Sequence, residues 1–146
     1  MNAIMYGAGN IGRGFIGQLF HMSGYEISFI DVNMTVIDKL NTDGQYPVYI
    51  TEADGYREYL VTGVRGVNGR DNEAIAEAMA EADIMATAVG VNILKFIAKP
   101  LAAGIEKRAS IAIICFKEEE FYQKNNEIIT SYGKLYNVNI YKNYNW

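Results

Sequence analysis

Three glycines spaced Gly7-x-Gly9-x-x-Gly12 stand between an apolar run and a helical pattern, and this feature constrains the fold most. The run "NAIMYG" (2–7) is short and ends in glycine, as a buried parallel strand does. From Ile11 to Met22, apolar residues fall at 11, 15, 16, 19, 20 and 22, close to helical spacing, with Gly24 as a stop signal. A glycine loop between a strand and a helix has a definite use. Gly7 lets the chain turn off the strand, bareness at Gly9 admits a pyrophosphate, and bareness at Gly12 lets the helix lie close on the sheet. The first amides of the helix then point at the phosphates, and the helix dipole favours their charge.

The rest of the chain alternates in the same way. "YEISFID" (25–31) reads as a second strand, and "MTVIDKLNTDG" (34–44) as a helix stopped by Gly44. The segment 46–67 carries strand-like runs on either side of an "ADG" turn signal, which predicts a hairpin-like excursion. A helix over 71–83 has Asp71 as its N-cap, and "IMATAVG" (84–90) is a buried strand. The segment 92–108 is helical, with a break or kink expected at Pro100. A strand at 110–116, a helix-like middle in 118–133 and a last short strand within 134–146 complete the order. The expected fold is α/β: a doubly wound, mostly parallel sheet of Rossmann type, with a β-hairpin-like excursion after the second helix.

Asp31 ends the second strand, 19 residues after Gly12. A carboxylate there accepts hydrogen bonds from the adenosine ribose hydroxyls and repels a 2′-phosphate, so NAD is favoured over NADP. No arginine follows it closely, and "DVNMT" offers Asn33 instead. The alternative is a glycine-rich turn that binds nothing. The loop lacks Gly-Lys-Ser/Thr, which excludes an ATP-type phosphate loop. Arg13 is a candidate phosphate contact or a solvated arginine at a helix start. "TAVG", Thr87, Ala88, Val89 and Gly90, sits at the carboxyl end of a later strand, where an open parallel sheet binds its ligand. Small residues there leave room for ribose and nicotinamide; plain strand-end packing explains them equally well.

The chain has 146 residues, which suits one domain spanning 1–146. A net charge of −4 and no Lys/Arg cluster argue against nucleic acid as a partner. No stretch approaches the ~18 apolar residues of a membrane span, and no targeting segment is visible. Cys115 is the lone cysteine, so intrachain disulfides and the usual zinc spacings are excluded and a cytoplasmic setting is expected.

"YGAGNIGRGFIG" (6–17), "FIDVN" (29–33), "LVTGVRGVNG" (60–69) and "ATAVGVNIL" (86–94) occur here in one order. Over about residues 1–115 the chain resembles the N-terminal, cofactor-binding domain of mannitol-1-phosphate 5-dehydrogenases, which are polyol dehydrogenases. The resemblance implies that Gly7, Ala8, Gly9, Asn10, Ile11 and Gly12 form the pyrophosphate loop and that Asp31 is the ribose acceptor. It implies an oxidoreductase converting mannitol 1-phosphate and NAD to fructose 6-phosphate and NADH. Family members are much longer, and a mostly helical C-terminal domain supplies their lysine base and most substrate contacts. The family's fifth strand ends in a Cys-acidic-Asn type motif, whereas Cys115 is followed here by Phe116 and Lys117. The expectation is therefore an NAD(H)-binding domain without catalytic residues of its own, completed by a separate domain. The alternative is a non-enzymatic module derived from that fold, for sensing NAD(H) or for association.

Other candidates for chemistry are weak. Lys117 is followed by three glutamates, which favour its charged form and oppose a role as base. His21 reads as a solvated or dipole-complementing residue near the end of the first helix. Cys115 reads as a small buried hydrophobe. Tyr132, Tyr136, Tyr141, Tyr144 and Trp146 can pack a last strand or cover a surface between chains.

Overall fold

The structure, a computed structural model, describes residues 1–106, 112–115 and 139–142. Its strands in chain order are β1 (Asn2–Tyr6), β2 (Glu26–Asp31), β3 (Gln45–Glu52), β4 (Gly55–Thr62), β5 (Val64–Asn68), β6 (Ile84–Thr87), β7 (Ala112–Cys115) and β8 (Asn139–Lys142). The helices are α1 (Gln18–Met22), α2 (Met34–Asp43), α3 (Asn72–Glu81) and α4 (Val91–Glu106). A π-helical turn, Gly12–Gly17, leads directly into α1.

Six strands form one sheet in the order β5-β2-β1-β6-β7-β8. Every neighbouring pair in it is parallel. Setting aside the two strands outside this sheet, the order is the 3-2-1-4-5-6 of a doubly wound dinucleotide fold. The expected α/β architecture is therefore present. The expected excursion is an antiparallel hairpin, β3 with β4, closed at Glu52↔Gly55. It is shorter than the segment 46–67 suggested. The chain leaves the hairpin at Gly63 (φ 63°), and Val64–Asn68 joins the main sheet beside β2 as its third strand. "LVTGVRGVN" has unbroken β character, so only a left-handed glycine marks where one sheet ends and the other begins.

The period-two alternation of the buried strands builds a core on each face. Ile4, Tyr6, Ile30 and Met85 pack with Ile75 and Met79 of α3 and Ile97 of α4. Ala3, Met5, Ile27 and Phe29 pack on the other face with Ile16, Phe20, Leu40 and the hairpin's Val48 and Val61. Asp71 caps α3 as its position predicts, accepting from the amides of Glu73 and Ala74 at 3.1 and 3.0 Å.

Two expectations about helices change. α4 continues through Pro100 as one helix, so the chain does not break there. Pro100 and Ile97 are buried and Gly104 lies hard against Met79, and this packing outweighs one missing ladder bond. The first helix is not regular, because its second turn is π-helical, a widening that periodicity does not reveal. The helix-like segment 118–133 lies outside the described residues. Among the described residues, no helix is long and apolar enough to cross a membrane.

Candidate functional site

The carboxyl ends of β1, β2, β5 and β6 meet at one edge of the sheet. β1 runs into Gly7, whose φ of 103° only glycine adopts readily. Its amide donates to the Ile30 carbonyl at 2.8 Å, tying the loop to the end of β2. A Cβ on Gly7 would stand 2.6 Å from the Ala88 carbonyl oxygen, and the Ala88 amide donates to the Tyr6 carbonyl at 2.8 Å. The "TAVG" strand end therefore abuts the glycine loop. A Cβ on Gly12 would overlap the Gly7 carbonyl oxygen, so the helix lies on the strand end as closely as backbone allows.

Gly9 is different. A Cβ there meets no atom within 4 Å, and the residue is exposed. Packing requires glycine at 7 and 12 but not at 9. The space at Gly9 opens on the start of the helical backbone, whose first bond runs from the Arg13 amide to the Gly9 carbonyl at 3.0 Å. The amides of Asn10, Ile11 and Gly12 precede that bond, as the unpaired first amides of a helix do. Asn10 and Ile11 are exposed, Ile11 by 62%. Such a cradle fits a diphosphate.

Asp31 stands beside it, half-buried. Its Oδ2 accepts the Ala8 amide at 2.7 Å, and its Oδ1 accepts the Asn33 amide at 2.9 Å. Each oxygen keeps further acceptor capacity for a hydroxyl donor. Asn33 thus meets Asp31 through its backbone, while its side chain is exposed. Among the expected residues, the structure brings together Gly7, Ala8, Gly9, Gly12, Asp31 and Ala88. Thr87 is buried within β6, opposite Tyr6 of β1, while Val89 is half-buried and Gly90 exposed.

Arg13 lies in the π-helical turn, half-buried, and its Nε is buried without a hydrogen-bond partner. An anion would satisfy that donor. The Arg13 carbonyl accepts the Tyr46 hydroxyl at 2.8 Å. Burial pushes the Tyr46 phenol well above its ordinary range, against a smaller opposing pull from the Arg13 charge. Tyr6, at the end of β1, is pushed up to about 12 by burial and then by the Asp31 charge.

Three contributors were missed from sequence. Gly69 donates its amide to the Asp31 carbonyl at 2.8 Å, so the end of β5 also borders the site. Tyr46 and Tyr59 reach the first helix from the hairpin. Their alternation with Val48 and Val61 could have placed them on its inner face. His21 is a correction: it is not simply solvated, because Nδ1 lies 2.8 Å from the Tyr59 hydroxyl and Nε2 lies 3.0 Å from the Thr62 hydroxyl. A hairpin folded over the helix end supplies these partners, and helical spacing alone cannot show it. Among the described residues, no group of three or more His, Cys, Asp or Glu could hold a metal ion. Lys117 and the tail aromatics Tyr132, Tyr136, Tyr144 and Trp146 lie outside the described residues.

The chain has close relatives. A mannitol-1-phosphate 5-dehydrogenase of Brevibacillus brevis is 52% identical over 111 residues, covering 76% of this chain and 28% of its own length. One from Streptococcus mutans is 49% identical over 107 residues, with 73% and 28% covered. The chain thus spans little more than a quarter of the curated relatives it matches. Among solved structures, octopine dehydrogenase in complex with NADH and agmatine superposes with a TM-score of 0.66 at 16% identity, covering 96% of this chain and 34% of that one. Prephenate dehydrogenase from A. aeolicus, in complex with hydroxyphenyl propionate and NAD+, gives 0.59 at 17% identity, covering 88% and 38%. These distant structures share the fold. The model of the mannitol dehydrogenase Rossmann domain matches residues 1–117, and with the glycine loop, Asp31 and the sheet order all in place, the chain belongs to that family.

Proposed function

We propose that the chain binds NAD(H) across the sheet edge, with the diphosphate on the amides after Gly9 and the adenosine ribose on Asp31. The observation that carries this is the empty space at Gly9, between two glycines that the fold itself requires. Ala8, Asn10, Ile11 and Gly12 complete the loop, and Asn33 holds Asp31 through its amide. Gly7 turns the chain into that loop, Thr87, Ala88, Val89 and Gly90 border the nicotinamide half, and Arg13 offers its unpaired Nε to a phosphate. The Asp31 carboxylate selects NAD over NADP by repelling a 2′-phosphate.

The relatives' name supports the reaction class. The chain is the cofactor half of an oxidoreductase acting on mannitol 1-phosphate and NAD to give fructose 6-phosphate and NADH. When bound, the nicotinamide supplies hydride acceptance. The residues of this chain hold and orient it. The general base and the sugar-phosphate contacts belong to a separate C-terminal domain, so residues 1–146 act as a cofactor-binding domain without catalytic residues of their own, in the cytoplasm. Exposed apolar side chains at the site and along the first helix, Ile11, Phe15, Leu19 and Met22, offer such a domain a surface.

The test is an NADH fluorescence titration with Gly9→Val as control. Binding by the wild-type chain and its loss in Gly9→Val support the reading, whereas no binding at millimolar NADH refutes it. Turnover of mannitol 1-phosphate by this chain alone would show that catalysis needs no second domain. Binding that persists without turnover, even with the family's C-terminal domain supplied, would favour an NAD(H)-sensing or association module.

A further inference from the structure

The hairpin β3–β4 is an addition to the parallel sheet, and it touches the first helix at both ends. At the far end, Tyr59 and Thr62 bracket His21. At the near end, the Tyr46 hydroxyl donates to the Arg13 carbonyl at 2.8 Å, inside the π-helical turn that follows the glycine loop. The approach is tight. A Cβ on Gly17 would stand 2.5 Å from the Tyr46 hydroxyl, and the Tyr46 ring meets Phe29 edge-on at 5.7 Å. The turn, "GRGFIG", contains three glycines and is poorly suited to hold its own shape.

We propose that Tyr46 is a positioning residue for the cofactor loop: its hydroxyl holds the π-helical turn, and with it Arg13 and the first helical amides, in the geometry that receives a dinucleotide diphosphate. The inference rests on the NAD(H) reading above. A wide turn of glycines would otherwise sample several shapes, each placing the amides of residues 10–12 differently. The hydroxyl selects one. The same bond fixes the backbone from which the Arg13 side chain leaves, and that side chain carries the buried, unpaired Nε.

The experiment compares NADH affinity in the wild-type chain, Tyr46→Phe and Thr62→Val. Tyr46→Phe keeps the ring against Phe29 and removes only the hydroxyl. Thr62→Val removes a hydrogen bond from the same hairpin, the one to His21 at the other end of the helix. The expected result is a dissociation constant about three- to tenfold higher for Tyr46→Phe, the size of one net hydrogen bond, and unchanged for Thr62→Val. Amide hydrogen exchange over Gly12–Gly17 should quicken in Tyr46→Phe while β1 stays protected. Should that variant unfold, exchange in the wild-type chain decides: a latched turn exchanges as slowly as β1, and a fraying one overturns the proposal. Equal affinity for wild type and Tyr46→Phe, or equal weakening by Thr62→Val, also overturns it. A wild-type chain that binds no NADH removes the cofactor reading and this inference together; binding that ignores Tyr46 removes this inference alone.

Discussion

The carboxylate of Asp31 accepts the amide of Ala8 at 2.7 Å, so the residue that ends β2 also holds the loop that follows β1. The same side chain accepts the Asn33 amide. Asp31→Ala should therefore act twice. Losing two bonds to an ionised, half-buried acceptor destabilises the fold by about 1–3 kcal/mol, read from urea denaturation. NADH affinity should fall at least about tenfold, because the loop and the ribose lose one shared anchor. A variant that keeps full affinity would separate Asp31 from the cofactor.

Gly7 and Gly14 make a matched pair. Gly7→Ala places a methyl 2.6 Å from the Ala88 carbonyl at a φ of 103°, and should destabilise by about 2–3 kcal/mol. Gly14→Ala meets no atom within 4 Å in a helical backbone, and should be neutral or stabilising by up to about 1 kcal/mol. Chemical denaturation of both variants checks the contrast.

His21→Ala should destabilise by about 1–2 kcal/mol, since it leaves the Tyr59 and Thr62 hydroxyls without their ring partner. The loss should appear as a lower unfolding midpoint with NADH affinity preserved, because His21 sits at the opposite end of the helix from the glycine loop.

Alkaline stability should report on Tyr6. Its folded value is pushed up to about 12 from an ordinary 10.0, by burial first and the Asp31 charge second. The folded state then holds a proton that the unfolded chain releases. This contribution is intact below pH 10, declines above it and is lost by about pH 12. Denaturation curves across that window should fall less steeply for Tyr6→Phe than for the wild-type chain.

The parallel strands other than β5 were legible because each is a short apolar run beside a helical repeat. Asp31 was legible because its distance from Gly12 has a physical meaning. What stayed hidden depends on contacts between distant segments. Nothing in "LVTGVRGVN" says that Val64 pairs with Ile27 rather than extending the hairpin. Nothing near His21 shows that Tyr59, 38 residues later, reaches its ring. The π-helical turn is invisible for a related reason, because apolar spacing sets which face is buried but not how widely each turn is wound. At Pro100 the local rule allows a break, and packing against α3 keeps α4 one helix instead.

The hairpin leaves the fold at Gly44 and returns at Gly63, both left-handed, with φ of 62° and 63°. Across that gap the Val64 amide donates to the Gly44 carbonyl at 3.3 Å, so the two stems stand side by side. An excursion with adjoining stems can lengthen or shorten at its tip while β2 and β5 keep their register, but its inner face is held by Val48 and Val61 in the core. The helix it leans on has no such freedom, and any drift in the hairpin is transmitted to the turn beside the glycine loop.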